Sequence, residues 1–366
     1  MKNVLFWTAS HLPEIGGFQQ STYRLAKSLK TFGWTPVFLT RETGATFYSD
    51  IETIRLSGDT VQDWVRQSSS WLLSHANKFD LIHTIDLFYD AINIELRTLK
   101  EAGPPNILKI PTAGCLPRII NQSNRNDLLV SANCFSVLNS QSEKELLSLG
   151  IGPDRIRYIP NGINSNDFLP GDTDRNIKLK LKLPEGVPII LFAGRFVARK
   201  RLDILLESAR RIGDRALFVL VGAGLNQDMT TENLVREKSK QMTNVRIVKA
   251  RAELIDFYHA SDVHILLAER EGMPNSILES MSCAIPTIGT DIPGINDLIS
   301  HRKDGLLVPV ADVQSTTDSI TALINDKELR KKMGSKARAK VLNYFDVKII
   351  AGVYDKLYQD LISGAK

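Results

Sequence analysis

The chain has 366 residues, 43% hydrophobic and 24% charged, with a formal net charge of +5. That length suits two domains of ordinary size, and the composition is that of a soluble globular protein with no run of the eighteen or so apolar residues a membrane span requires. The positive excess lies in the second half, partly in Lys327, Arg330, Lys331, Lys332, Lys336, Arg338 and Lys340. Their helical spacing reads as a solvated face or a peripheral contact for anionic lipid head groups; without interleaved aromatic residues it is no nucleic-acid platform.

In chain order, short β-branched or aliphatic runs alternate with helix-period segments. The first half predicts strands at 4–8, 36–40, 51–56, 81–85, 107–110, 135–138 and 157–159, with helices at 19–30, 61–77, 87–100 and 141–149. The last helix opens on Ser140-Gln141-Ser142-Glu143, a capping-box pattern. A polar stretch marked by Pro and Gly, 161–188, separates this array from a second one. There the predicted strands are 189–193, 217–221, 245–248, 263–267, 287–289 and 306–309. The helices are 202–212, 227–242, 252–260, 276–283, 295–300, 316–325 and 327–345. Near-continuous apolar strands alternating with helices predict two doubly wound, Rossmann-like α/β domains facing across a cleft. Ligands bind such sheets beyond the carboxyl ends of the strands, so the segments just after strands carry the chemistry.

Cys115, Cys134 and Cys283 are odd in number, widely spaced and without CxxC or CxxH companions. That pattern argues against a disulfide framework or a zinc site and fits a reducing cytosol. The opening MKNVLFWTAS has too short an apolar run for a signal peptide and lacks a small-residue cleavage pattern.

Four post-strand segments stand out. The pair Gly16-Gly17 precedes a helix, where backbone amides and the helix dipole favour an anion; an ordinary tight turn explains it equally. In LFAGRFVARKRLD a buried strand ends at Gly194, with Arg195 and Lys200 following in one loop. A planar fork and a point charge together suit a diphosphate, although Arg199 and Arg201 leave a generic basic loop open. The VGAG of residues 221–224, with Gly222, imitates a nicotinamide site, but Gln227 stands at the third glycine position and Lys249 where an acidic residue belongs. In EREGMPNSILES, Glu271 and Glu279 are eight positions apart, and Gly272 and Pro274 force a turn before a helix. The amides of Met273, Asn275 and Ser276 then lie at a helix amino terminus. The two carboxylates read as a hydrolytic pair, as a turn with a capped helix, or as acceptors for the hydroxyl groups of a bound nucleotide-sugar. Glu269 reads as a surface residue.

With these segments in order, the chain resembles the retaining nucleotide-sugar glycosyltransferases of family 4, which have the GT-B architecture. The resemblance is densest in IPNGINSNDF (159–168), FAGRFVARKRLD (192–203), VGAG, EGMPNSILESMSCAIPTIGTDIPG (271–294) and DGLLVPV (304–310), with Glu271 and Glu279 as the E-x7-E signature. It implies a first, acceptor-side domain of residues 1–165 plus about 346–366, completed by a carboxy-terminal helix that crosses back, and a donor-binding domain of 166–345. It implies that Arg195 and Lys200 bind the donor diphosphate, that Glu279 accepts from the ribose, and that Glu271 lies near the donor hexose. Gly16 and Gly17 then close over the phosphates. Gly194, Gly222, Lys249, Ala250, Arg251, Gly272, Met273, Pro274, Asn275 and Ser276 complete the donor site. Transfer is expected to need no metal or other cofactor, the nucleoside-diphosphate sugar being a co-substrate; the acceptor is a glycan, a glycolipid or a small hydroxyl compound.

The chain also departs from that pattern. Alanine stands at 113, where many relatives carry a histidine; His83 is a candidate substitute, or more simply a structural residue at a strand end. Lys249 and Arg201 replace common glycines. Two alternatives follow: a GT-B-shaped nucleotide-sugar epimerase, for which His11 and His83 are sparse acid–base candidates, and a degenerate paralogue that binds without catalysis.

Overall fold

A computed structural model describes residues 2–11, 16–42, 50–85, 91–110, 116, 120, 122–171, 175–224, 229–251 and 253–364. The chain divides into one compact unit of Met1–Gly162 with Val347–Lys366 and a second of Ile163–Asp346.

The first unit holds a seven-stranded parallel sheet in the order β3-β2-β1-β4-β5-β6-β7. Its strands are β1 (Lys2–Trp7), β2 (Trp34–Arg41), β3 (Glu52–Leu56), β4 (Leu81–Ile85), β5 (Asn106–Ile110), β6 (Cys134–Val137) and β7 (Ile156–Tyr158). The described helices are α1 (Gly17–Leu29), α2 (Val61–His75), α3 (Ile92–Glu101), α4 (Gln122–Ser131) and α5 (Ser140–Ser148). The second unit repeats the plan with six parallel strands ordered β10-β9-β8-β11-β12-β13. These are β8 (Ile189–Ala193), β9 (Leu217–Gly222), β10 (Val245–Lys249), β11 (Val263–Leu266), β12 (Thr287–Thr290) and β13 (Gly305–Val308). Its helices are α6 (Arg175–Lys180), α7 (Leu202–Ile212), α8 (Thr230–Ser239), α9 (Ile255–His259), α10 (Asn275–Ser282), α11 (Val313–Asn325) and α12 (Lys327–Lys340). The chain then returns to the first unit as α13 (Val347–Ser363).

Burial explains why the strands form where the apolar runs lie. Every residue of β4, β5, β6, β8, β9, β11 and β12 is buried, as in a sheet covered on both faces. Helix α13 supplies Ile350, Ala351, Tyr354, Leu357 and Tyr358 to a core that includes Val4, Phe6, Phe38 and Ile107.

Several helices depart from expectation for local reasons. Helix α4 begins QSNRND and has no apolar stripe to betray it. Helix α6 is a single short piece inside the stretch read as a polar connection. Residues 295–300 make turns rather than a helix; bonds from Leu298 and Ile299 N–H to the Ile295 carbonyl suffice to bury all three side chains. Helix α5 is capped by Asn139, whose Oδ1 accepts from Ser142 N–H at 2.9 Å, one residue before the predicted cap. The 327–345 segment is helical to Lys340 and then widens into a π-helical turn, Val341–Phe345.

The basic run on α12 splits in two. Arg330 pairs with Asp262, Arg338 donates to the Ser165, Phe168 and Ser282 carbonyls, and Lys340 pairs with Asp304. Lys327, Lys332 and Lys336 are exposed. Among the described residues no helix is long and apolar enough to cross a membrane.

Candidate active site

In the second unit the strand order reverses between β8 and β11, which are hydrogen-bonded neighbours. Connections leave such a pair in opposite directions, and a crevice opens beyond their carboxyl ends. The two segments richest in motif residues follow these two strands: 194–201 after β8 and 267–276 after β11.

Strand β8 delivers its loop rigidly. Gly194 N–H donates to the Val221 carbonyl and Phe196 N–H to the Ala223 carbonyl at 2.7 Å, while the Phe196 ring is buried. A Cβ on Gly222 would stand 2.0 Å from the Gly194 carbonyl and 2.6 Å from the Phe196 ring. Gly222 therefore serves the close approach of β9 to this loop. A 3-10 turn, Ala198–Lys200, follows, and Arg201 takes the left-handed conformation (φ 46°, ψ 47°) from which α7 starts. That geometry accounts for a glycine being common there, since a side chain costs about 1–2 kcal/mol in this region. Arg201 is held by both carboxylate oxygens of Asp203 at 2.9 and 2.7 Å and by Glu269 at 3.0 Å. Glu269 is half exposed, as its reading as a surface residue implies.

Lys200 is buried, and its Nζ lies 2.6 Å from Glu271 Oε1; Arg199 Nη1 reaches the same oxygen at 2.6 Å. Arg195, at the exposed rim, is within electrostatic reach of Arg199 and Glu271. Burial alone would raise the Glu271 carboxyl, but Lys200 and then Arg199 outweigh it and hold the group below the usual glutamate value. Burial draws Lys200 down despite Glu271, with Arg199 and Arg195 adding to the fall. Beneath Lys200, His264 on β11 is fully buried, and burial followed by the Lys200 charge lowers it to about 3, so it is neutral. The group holds three cations against one carboxylate.

Glu271, Gly272, Met273, Pro274 and Asn275 are all buried, and Ser276 is half-buried in the first turn of α10. The helix begins at Asn275 with Pro274 as its cap residue. Gly294 fixes this turn from below: its φ is +87°, and a Cβ would meet the Gly272 carbonyl at 2.2 Å. Farther along α10, Glu279 is buried and accepts from the Tyr258 hydroxyl at 2.9 Å. At the sheet edge, Lys249 ends β10 opposite Gly222, and the Arg251 guanidinium sits 5.0 Å over the Phe257 ring. Glu232 of α8 binds Gly224 N–H at 2.6 Å and pairs with Arg236, which fixes the glycine turn after β9.

Thus the structure joins Arg195, Lys200 and Glu271 at one point, beside the start of α10. Among the described residues no side-chain hydrogen bond or ion pair links Lys249, Ala250 or Arg251 to that group. Arg199, Glu232, Gly294 and Tyr258 were missed by sequence reasoning. Arg199 looked like surplus charge, and Gly294 had only a Pro-Gly turn signal.

In the first unit, Gly16 is the extended cap residue of α1 and Gly17 its first helical residue, just beyond β1 at that sheet's own switch point. His83 is fully buried on β4, with Nδ1 2.6 Å from the Tyr358 hydroxyl of α13; burial and then Lys109 hold it well below the ordinary histidine value. That placement makes His83 a packing residue rather than a substitute for the family histidine. His11 is stacked on Phe38 with centroids 3.9 Å apart and drops to about 4, burial first and Arg55 second. Ala113, Gln227 and the residues between His11 and Gly16 lie outside the described residues.

Residues 173–340 match the family model described as glycosyl transferases group 1. The whole chain superposes on sucrose-phosphate synthase from Thermosynechococcus elongatus with a TM-score of 0.84 at 21% identity, covering 100% of both chains. The fold is GT-B. A second GT-B neighbour, HepE from Anabaena in complex with UDP and glucose, gives a TM-score of 0.83 at 17% identity over 98% of this chain and 100% of that one. By sequence, the chain is 28% identical over 240 residues to the N,N'-diacetylbacillosaminyl-diphospho-undecaprenol alpha-1,3-N-acetylgalactosaminyltransferase of Campylobacter jejuni, covering 63% of this chain and 61% of that protein. It is 29% identical over 251 residues to the UDP-Gal:alpha-D-GlcNAc-diphosphoundecaprenol alpha-1,3-galactosyltransferase of Escherichia coli, covering 64% and 62%. The match thus spans about three fifths of the length of these curated relatives. Together these similarities support a GT-B glycosyltransferase.

Proposed function

We propose that this chain is a retaining glycosyltransferase of family 4 that moves a hexose from a nucleoside-diphosphate sugar to a hydroxyl acceptor without a metal ion. The observation that carries the reading is the group of Arg195, Arg199 and Lys200 around the single carboxylate of Glu271, at the switch point and beside the start of α10. When the bond from the anomeric carbon to the donor diphosphate breaks, its electron pair goes to a phosphate oxygen. Arg195, Lys200 and the first turn of α10 stabilise the charge that develops there. Glu271 accepts from hydroxyls of the departing hexose, Glu279 from the ribose, and Lys249, Ala250 and Arg251 border the base. Retention rests on the E-x7-E resemblance. The names of the two bacterial relatives, each of which includes a sugar linked to diphospho-undecaprenol, favour a lipid-linked acceptor in glycan or polysaccharide assembly. We read the protein as cytoplasmic and peripheral at a membrane, a reading with which such an acceptor is compatible, with exposed Lys327, Lys332 and Lys336 as candidate head-group contacts.

A thermal-shift panel of UDP, GDP, ADP and their sugars tests the reading. One nucleotide class should stabilise the protein by several kcal/mol at saturation, and the Arg195→Ala/Lys200→Ala double variant should lose both that shift and donor turnover in the presence of EDTA. Near-normal turnover in the double variant would sink the assignment. Product analysis with donor alone separates transfer from epimerisation.

A further inference from the structure

Arg199 is stitched to the loop after β11 by three bonds. Its Nη1 donates to Glu271 Oε1 at 2.6 Å and to the Arg270 carbonyl at 2.8 Å, and its own carbonyl accepts from Glu269 N–H at 2.9 Å. Lys200 Nζ occupies the same Oε1 at 2.6 Å. Oε2 of Glu271 has no hydrogen-bond partner among the described residues. The proposed reaction therefore sets two demands on Lys200. An ammonium that turns to a diphosphate loosens its hold on Glu271, and a buried carboxylate that loses its partner is strongly destabilised.

We infer that Arg199 is a positioning residue that keeps the Glu271 carboxylate fixed through Oε1 while Lys200 turns to the donor diphosphate, leaving Oε2 to a hydroxyl of the donor sugar. The diphosphate and sugar in this statement rest on the glycosyltransferase reading; the Arg199–Glu271 coupling does not. Arginine suits the task because one guanidinium can hold a carboxylate and a backbone carbonyl together, which anchors the fork to the loop it positions. The charged groups facing Glu271 are Lys200, Arg199 and Arg195 from the loop after β8, with His264 neutral beneath Lys200. With Arg199 gone, Lys200 is the one cation left in direct contact with the carboxylate among the described residues, Arg195 acting only at longer range, and a diphosphate competes for Lys200.

The experiment compares wild type with Arg199→Ala and Arg199→Lys, with Glu271→Gln used to assign the Glu271 signal. In carbon-13 spectra of labelled glutamate carboxyls, Glu271 of the Ala variant should titrate about one pH unit higher than in wild type. Inorganic pyrophosphate should raise it further in the Ala variant and leave the wild-type titration in place. The Lys variant should restore most of the shift. A Glu271 titration indifferent to Arg199→Ala, in folded protein, overturns the inference. With the donor named by the nucleotide panel, Arg199→Ala should lower kcat about 10- to 100-fold, the scale of a small misplacement. Its donor KM should stay within about threefold, and the acid limb of its rate profile should move to higher pH. An increase in KM at unchanged kcat would make Arg199 a phosphate ligand and also overturn the inference. A wild-type protein that binds no nucleotide and transfers no sugar rejects the glycosyltransferase reading, while the carboxyl titration still decides the role of Arg199.

Discussion

Lys109 offers a measurable consequence of burying a cation without a carboxylate. It sits near the carboxyl end of β5, 4% exposed, with Nζ donating to Asn161 Oδ1 at 3.0 Å. Burial lowers its pKa from 10.5 to about 8. Between those two values the unfolded chain holds a proton that the folded chain has released, so stability rises with pH across that window. Below pH 8 the folded state carries the full cost. That interval, at about 1.4 kcal/mol per pH unit, corresponds to about 3 kcal/mol at pH 7. Lys109→Met keeps the aliphatic stem and removes the charge, but deprives Asn161 Oδ1 of one donor, a loss of about 1 kcal/mol. The variant should therefore be more stable than wild type by about 2 kcal/mol at pH 7. Its advantage should shrink through pH 8 to 10 and reverse slightly above. Trp7, Trp34, Trp64 and Trp71 are the only tryptophans and all lie in the first unit, so indole fluorescence reports the unit that holds Lys109. With a urea slope of about 2 kcal/mol per molar, the midpoint should move up by about 1 M at pH 7. A difference between variant and wild type that stays constant from pH 7 to 10 would refute the charge-burial argument.

Two further substitutions probe the site's backbone. Gly294→Ala places a Cβ against the Gly272 carbonyl at a φ of +87°, so the turn before α10 must move; the nucleotide-induced stabilisation should fall by about 1.4 kcal/mol, a tenfold loss of affinity, and an unchanged shift would mean that this turn does not contact the ligand. Arg201→Gly relieves left-handed backbone but gives up the pairs with Asp203 and Glu269, whereas Arg201→Ala gives up the pairs and keeps the strain. The Gly variant should be more stable than the Ala variant by about 1 kcal/mol in chemical unfolding; equal stability would contradict the strain at Arg201.

Both sheets were legible in the sequence because buried parallel strands are unbroken apolar runs such as IILFA and LFVLVG, which need no tertiary information to be seen. Doubly wound connectivity carries the prediction that chemistry gathers just after strands, and the strand order of the fold picks out β8 and β11 as the switch-point pair. Helices were less legible where polarity hides them: α4 begins in six polar residues, and the segment at 295–300 has helical spacing but closes in turns. At the site, Arg195, Lys200 and Glu271 could be found because each stands beside a strand end. Arg199 could not, since only the fold shows that its side chain turns toward residues 270 and 271 and not toward solvent. His83 could be read either as a substitute histidine or as a strand-end structural residue, and the return of α13, which lays Tyr358 against it, supports the structural one.

Charge balance and burial together separate the Arg195–Lys200 group from the other ion pairs of the second unit: Arg210 and Arg211 also share one oxygen, of Glu207, but on the solvent-exposed face of α7. Arg201 has two carboxylates, Arg330 has Asp262, and Lys340 has Asp304. Each of those cations is matched, as expected of pairs that serve only the fold. Arg199 and Lys200 instead share one oxygen of Glu271, and Arg195 has no ion-pair partner among the described residues. Three positive charges against one negative leave a formal surplus of two, next to a helix amino terminus of the same polarity. Like charges gathered around a buried lysine repel, and folding alone gives no reason to collect them where a strand pair opens. A ligand with two negative charges removes the repulsion on binding. A reaction that adds negative charge to that ligand as a bond breaks is favoured further still, because the stabilising groups are in place before the charge develops. A diphosphate leaving an anomeric carbon meets both conditions. The cations that hold Glu271 below its usual pKa also keep it from serving as the general acid of a hydrolytic pair.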